Sequence, residues 1–392
     1  MKYKICFVTG SRADYGLIKG LMTSLKNEKG FELQLLVTGT HLSDSFGLTV
    51  QEIEKDGFII NRRIYCLSDA DTSNDVSKAI GVAVSEFGAA ISEIEPDLFV
   101  VLGDRFEIFS AVTAALVARV PVAHIHGGEV THGSIDDSFR HAITKMSQFH
   151  FVATEEFRNR VIQLGENPEN VYLVGGLGVD NVNELELLDK NELEESLGIK
   201  FAGKNLLVTF HPATLDVLKP GEQLSNLLAA ISTLKETRVI FTSPNADEGG
   251  LFFTQKIKEY VANNREAVYI ESLGQLNYFS CASVVDGIIG NSSSGLLEIP
   301  SLKKGTINLG NRQDGRPKAS SVIDADMTVA GILEAIEMLY SEDFKKILLN
   351  SKNPYGDGGA RQRIISAIRD ISTKKVTPKK FYDLPNPGSG KK

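Results

Sequence analysis

Residues 77–105 read SKAIGVAVSEFGAAISEIEPDLFVVLGDR, and this stretch decides the fold. Its first part, Ser77–Ile94, places Ile80, Val84, Phe87, Ile91 and Ile94 at helical spacing, an apolar stripe suited to core packing. Then comes Leu98–Leu102 (LFVVL), a short unbroken apolar run. That is the pattern of a parallel strand with helices on both faces of its sheet. The stretch ends in Gly103-Asp104-Arg105, polar residues set directly after a buried strand. Helix, strand and chemistry-bearing turn form the repeat of a parallel α/β protein, in which ligands bind beyond the carboxyl ends of the strands.

The same alternation runs outward in both directions. Further strands are expected at Lys4–Thr9, Glu32–Thr38, Val120–Ile125, Phe149–Ala153 and Val171–Val174. A polar, acidic stretch, Asn181–Gly198, separates these from a second series at Asn205–Phe210, Arg238–Thr242, Ala267–Glu271, Val284–Ile289 and Thr306–Leu309. A domain boundary is placed near Leu177–Asp189, giving domains of residues 1–180 and 181–358. A last apolar helix, roughly Gly359–Ile371, fits either domain, and the terminal PNPGSGKK has the composition of a disordered tail.

Composition narrows the functional classes. A chain of 392 residues is too long for one ordinary core, which agrees with two domains. Its net charge of −8 leaves no basic surplus for a nucleic-acid backbone, yet does not exclude a small anion held by a few arginines and helix ends. Three scattered cysteines (Cys6, Cys66, Cys281) argue against a disulfide framework and fit a reducing, cytoplasmic compartment. No stretch reaches the ~20 apolar residues of a membrane span.

The residues just past each strand carry the chemistry. Strand one runs into Gly10-Ser11-Arg12-Ala13-Asp14-Tyr15-Gly16. Such a turn can offer backbone N–H groups and the Arg12 charge to a phosphate, or can be a plain turn with a solvated arginine. Its spacing is not the dinucleotide G-x-G-x-x-G, so a nicotinamide cofactor is not supported. Asp104 and Arg105 lie where cleft residues belong, or pair locally at the start of the next helix. Residues 123–141, AHIHGGEVTHGSIDDSFRH, gather His124, His126, His132 and His141 with Glu129, Asp136, Asp137 and Arg140. That spacing matches no standard zinc pattern. Crowded imidazoles and carboxylates suit general acid–base work, because neighbours tune their pKa values apart.

In the second half His211-Pro212 and Ser243-Pro244-Asn245 end two strands. Gly290-Asn291-Ser292-Ser293-Ser294-Gly295, followed by an apolar helix start, offers hydroxyls and N–H groups to an anion. Glu298, about one turn further, could accept hydrogen bonds from a ribose diol, or oppose the helix dipole. Arg312 completes a diphosphate-plus-ribose pattern.

Taken in order, TGSRADYG (9–16), LGDRFE (102–107), HIHGGE (124–129), IDDSFRHAITK (135–145), His211-Pro212, PNAD (244–247), GNSSSGLLE (290–298), INLGNRQ (307–313) and YGDGGA (355–360) resemble the hydrolysing UDP-N-acetylglucosamine 2-epimerases of sialic-acid biosynthesis. The resemblance implies an α/β glycosyltransferase-B fold of two Rossmann-like domains facing across a cleft. A C-terminal helix, residues 359–378, would return to the first domain. It implies UDP held mainly by the second domain: Ser292 and Ser293 on phosphate, Glu298 on ribose, Arg312 and Asn245 on other parts of the nucleotide. Arg12, Arg105 and His211 would reach the diphosphate or the sugar. The acid–base residues map onto Asp104 and Asp136, with Arg140 beside them. Many relatives have glutamate where this chain has His126, so that duty falls to His126 or to Glu129.

The expected reaction converts UDP-GlcNAc and water to ManNAc and UDP, with no metal or cofactor, in a homo-oligomer (dimer or tetramer). The rivals are the same chemistry on UDP-N,N'-diacetylbacillosamine, a glycosyltransferase, and a non-catalytic nucleotide-sugar sensor. The stretch Tyr269-Ile270-Glu271-Ser272 lacks the Lys-His pair with which the animal enzyme binds its CMP-sialic acid inhibitor, so that inhibition is not expected.

Overall fold

The computed structural model describes residues 2–44, 47–67, 72–131, 135–212, 218–244 and 250–384. The chain forms two compact units. The first takes in the chain to Val130, continues to Asp180 and resumes at Gly358; the second is essentially Asn181–Asp357.

The first unit is built on seven strands: β1 (Tyr3–Thr9), β2 (Phe31–Thr38), β3 (Arg62–Ile64), β4 (Leu98–Leu102), β5 (Val122–Ile125), β6 (Phe149–Val152) and β7 (Val171–Leu173). They pair in the order β3-β2-β1-β4-β5-β6-β7, all parallel. Strand side chains alternate between faces, so each strand feeds two cores. On β1, Ile5 and Phe7 join one apolar cluster, while Cys6 and Val8 join the other. On β4, Leu98, Val100 and Leu102 go one way, and Phe99 and Val101 the other.

The second unit repeats the plan with β8 (Lys204–Thr209), β9 (Thr237–Thr242), β10 (Ala267–Ile270), β11 (Gly287–Gly290), β12 (Gly305–Leu309) and β13 (Val322–Ala325). Its parallel order is β10-β9-β8-β11-β12-β13. Leu206 and Val208 face one core, and Leu207 faces the other. The fold is the two-sheet α/β architecture expected from the strand-and-helix alternation.

Two of the four edge strands, β3 and β13, escape a reading that seeks apolar runs. They are three and four residues long and carry charge (Arg62-Arg63, Asp324), as exposed edges must to discourage pairing with other chains. The long helix begins earlier than expected, at Ser73, where Thr72 and Asp75 form a capping box. Its core face is also turned by a residue: Ala79, Ala83, Phe87, Ala90 and Ile91 are buried, while Ile80, Val84 and Ile94 are half-buried. The reason is its neighbour, the helix Phe106–Val117. That helix presents Ala111, Ala114 and Ala115 to the same cluster, and small side chains on both helices allow close approach.

The last helix, Ala360–Thr373, belongs to the first unit. Ile364, Ile365, Ile368 and Ile371 enter the same cluster as Ile18, Leu21 and Leu25 of the helix Arg12–Lys26. Each such burial is worth ~1.5–3 kcal/mol. The N-terminus of the last helix is held by Asp180, whose carboxylate accepts from the N–H of Ala360 (3.1 Å) and of Arg361 (2.6 Å).

Candidate active site

In both sheets the chain reverses its direction of travel between adjacent strands, at β1/β4 in the first and β8/β11 in the second. Such switch points leave a crevice at the carboxyl ends of the strands. The sequence-predicted residues cluster at these two places.

After β1, Ser11 caps the helix Arg12–Lys26, with Asp14 closing the box. The Asp14 carboxylate accepts from the N–H of Gly10 (2.9 Å) and Ser11 (2.8 Å), and from the Thr9 hydroxyl (3.2 Å). Of the N–H groups that the turn was expected to offer a phosphate, those of Gly10 and Ser11 are thus engaged by Asp14, and the turn also presents Arg12. Its guanidinium is half exposed and lies 3.6 Å from Glu52. Arg105, after β4, donates twice (3.2 and 3.1 Å) to the buried Glu107, which aims the guanidinium.

The next strand ends carry the acid–base groups. Buried Arg140, on the helix Ile135–Met146, pairs with Asp104 and donates to Asp137 (3.3 Å) and to the Glu129 carbonyl (3.1 Å). Asp136 is four residues before Arg140, so the two share a helix face, with Asp136 half-buried. His124 is fully buried in β5. Its Nε2–H donates to the Gly103 carbonyl (2.8 Å), and Nδ1 accepts from Thr144 (3.1 Å). Burial pulls the His124 pKa down to about 3, so this ring is a neutral brace beneath Asp104.

His126 is different. It sits just past β5 with φ at +66°, a left-handed conformation uncommon outside glycine. Its Nδ1 lies 2.6 Å from Glu129 Oε1, and both side chains are buried. A carboxylate only accepts, so it is Nδ1 that carries a proton in this bond and Nε2 that faces away from Glu129. That Nε2 is buried and has no hydrogen-bond partner among the described residues. His132 and Asn245, both singled out in the sequence, lie outside the described residues.

In the second unit β11 presses against β8. Gly290 has φ at +147°, and a Cβ there would sit 1.9 Å from the Thr209 carbonyl oxygen, so no other residue fits. Buried Asn291 follows and ties the site together. Its side chain accepts from the His211 N–H (2.8 Å) and donates to the His211 carbonyl (2.8 Å). Its own carbonyl accepts from Arg312 (3.0 Å) and Gln313 (2.8 Å). Sequence reading passed over Asn291 and Gln313; the available signal was a polar side chain directly after a buried strand.

Burial, with help from the Arg312 charge, pulls the His211 pKa down to about 3, so its ring is neutral at physiological pH. Ser292 and Ser293 are half-buried beside it. The helix expected after them is one turn, Ser294–Leu297, with the buried Glu298 at its C-cap, so the dipole adds less than a full helix would.

A sequence model described as UDP-N-acetylglucosamine 2-epimerase matches residues 23–369 of the chain. The protein belongs to the UDP-N-acetylglucosamine 2-epimerase family. Among curated relatives, this family member is 40% identical to the polysialic acid biosynthesis protein P7 of Escherichia coli, over 97% of its own length and 98% of the relative's. It is 38% identical to the GDP/UDP-N,N'-diacetylbacillosamine 2-epimerase (hydrolyzing) of Campylobacter jejuni, over 98% and 100%. A crystal structure of a UDP-N-acetylglucosamine 2-epimerase from Listeria monocytogenes superposes with a TM-score of 0.81 at 18% identity, covering 98% of this chain and 100% of that one, a likeness of fold. The epimerase is therefore an enzyme of the two-domain α/β type. Among its described residues no group of three or more His, Cys, Asp or Glu is placed to hold a metal ion. No described helix is long and apolar enough to cross a membrane.

Proposed function

We propose that this enzyme is a hydrolysing UDP-GlcNAc 2-epimerase that turns UDP-GlcNAc and water into ManNAc and UDP, the first step towards sialic acid. The observation that carries the reading is the buried His126–Glu129 pair, whose Nε2 has no hydrogen-bond partner among the described residues, next to the Asp104–Arg140 pair on the same sheet. A base takes the proton from C2 while the C1–O bond breaks and UDP departs, leaving a C1=C2 double bond. Water then gives its hydroxyl to C1, and a proton returns to C2 from the opposite face, so C2 is inverted. Asp104, His126 and Asp136 are the groups for these transfers, with Glu129 and Arg140 holding two of them.

Nucleotide binding is assigned to Ser292, Ser293, Glu298, Arg312 and Asn245. Arg12, Arg105 and His211 are assigned to the departing diphosphate. Because His211 is neutral, it meets the diphosphate as an N–H donor, and the arginines supply the charge. A preorganised donor of this kind is worth ~3–4 kcal/mol of barrier. Cytoplasmic location and a homo-oligomeric state complete the proposal; three buried free cysteines support the first.

A second reading keeps the chemistry and changes the sugar to UDP-N,N'-diacetylbacillosamine. The Campylobacter relative's name favours it. Incubating the protein with each UDP-sugar and following the released sugar by NMR decides between them. Deuterium at C2 in heavy water marks epimerisation. Release of UDP only when a sugar acceptor is added would instead make the protein a glycosyltransferase, and no turnover of any UDP-sugar would sink both readings.

A further inference from the structure

The chain does not end with its last helix. Residues 374–384 continue as an extended strap over the first unit, and three contacts pin it. The Lys379 ammonium donates to the carbonyls of Lys145 (2.5 Å) and Ser147 (2.7 Å), and lies 2.6 Å from Glu166. The Tyr382 N–H donates to the Gly165 carbonyl (2.9 Å). The Phe381 ring lies against Gly165, where a Cβ would come within 2.4 Å of it, and under the Lys145 ammonium at 4.4 Å. Beside the Lys379–Glu166 contact a cavity of about 460 Å³ is lined by Thr377–Lys380 of the strap and by Gln148, Asn167 and Asn170.

What Lys379 grips is the C-terminal end of the helix Ile135–Met146, the element that carries Asp136 and Arg140. The last carbonyls of a helix lack partners within it, and a cation there is favoured by the helix dipole. The same helix end braces the catalytic side of the sheet through Thr144, which bonds His124, which in turn bonds the Gly103 carbonyl just before Asp104. Behind the strap, buried Glu166 also accepts from Lys145 (2.8 Å) and from the fully buried His150 (2.9 Å), so the strap's lysine completes a closed set of charges.

We infer that the C-terminal strap is a clamp on the catalytic helix, with Lys379 as a positioning residue that sets where Asp136 and Arg140 stand relative to Asp104. This rests on the proposed function for its effect on turnover and on geometry alone for its effect on the helix. Lys379→Met in the full-length protein is expected to lower kcat roughly 10-fold or more, since small misplacements of reacting groups are costly. UDP affinity and KM stay within about twofold, because the nucleotide groups lie elsewhere. Amide hydrogen exchange in the last turn of the helix, around Lys145–Ser147, accelerates, while the strands of the second unit keep wild-type protection. Lys379→Arg restores most of the rate, and Lys380→Met, on the exposed neighbour, changes neither readout.

Phe381→Ala loosens the strap without leaving Glu166 short of a cation and gives the same signature; it decides the matter if Lys379→Met does not fold. Wild-type kcat in these variants, or unaltered exchange in the helix, overturns the clamp. If the wild-type protein turns over no UDP-sugar, the functional reading has failed, and the exchange result alone judges the clamp.

Discussion

A histidine held at positive φ is strained by ~1 kcal/mol or more, and strain of this kind persists where the surroundings over-determine it. At His126 the determinants are visible: its N–H donates to the Phe151 carbonyl (3.0 Å) and its ring to Glu129. Glu129 matters through its charge as well as its place. Glu129→Gln keeps a group at the same position but removes the anion that fixes the Nδ1 proton and would steady an imidazolium. Turnover is expected to fall on the order of 100-fold, the usual worth of a positioned proton carrier, with UDP affinity unchanged by calorimetry. Wild-type turnover would release the pair from the chemistry. Asp136→Asn should likewise cost at least ~100-fold in kcat at constant UDP affinity. Histidines and acids in residues 123–141 were legible as a group because four of the chain's seven histidines crowd there. Their division of labour was not. Nothing in the spacing shows that His124 is a brace bonded at both ring nitrogens and His126 a ring bonded at one, since the difference lies in one backbone angle and in which partners the fold supplies.

Strand ends decide where chemistry can stand, and most strands were legible because buried parallel strands are short apolar runs. The edges β3 and β13 were not, since charged residues interrupt them, whereas the other two edges, β7 and β10, keep apolar runs. Two local details also escaped: Asp14 occupies the N–H groups at Gly10 and Ser11, and the helix after Ser293 stops after one turn. Both depend on side-chain reach rather than on residue type. The β8/β11 contact yields a direct test. Gly290→Ala meets the Thr209 carbonyl and a disfavoured φ together. The backbone conformation alone costs about 1–3 kcal/mol, read as a lower urea midpoint. UDP binding weakens with it, because Asn291, His211 and Arg312 are all registered from that strand end. A Gly290→Ala protein as stable as wild type would mean the strands can part freely.

For the molecule as a whole, burial couples stability to pH. His124 and His211 are pulled by burial to about 3 from an ordinary 6.5, and burial also lowers His150. A folded-state pKa below the unfolded value means the unfolded chain binds more protons between the two. The contribution is therefore complete above 6.5 and is lost as pH falls towards 3. Glu166 works in the same direction: burial opposes its charge, but His150, Lys145 and Lys379 outweigh burial and hold its pKa low. The thermal midpoint should decline steadily as pH is lowered from about 7 to 5, and His124→Asn should flatten that decline. An unchanged slope in the variant would clear His124 of the effect.

The return of Ala360–Thr373 to the first unit has a consequence for synthesis on the ribosome. The first unit cannot complete its core until the helix Ala360–Thr373 has been made, because four of its isoleucines arrive with that helix. The later-encoded half, Asn181–Asp357, owes nothing to that delay. Folding order thus inverts coding order, and a nascent chain stalled short of Gly358 would hold an open greasy groove along the helix Arg12–Lys26, a natural grip for chaperones.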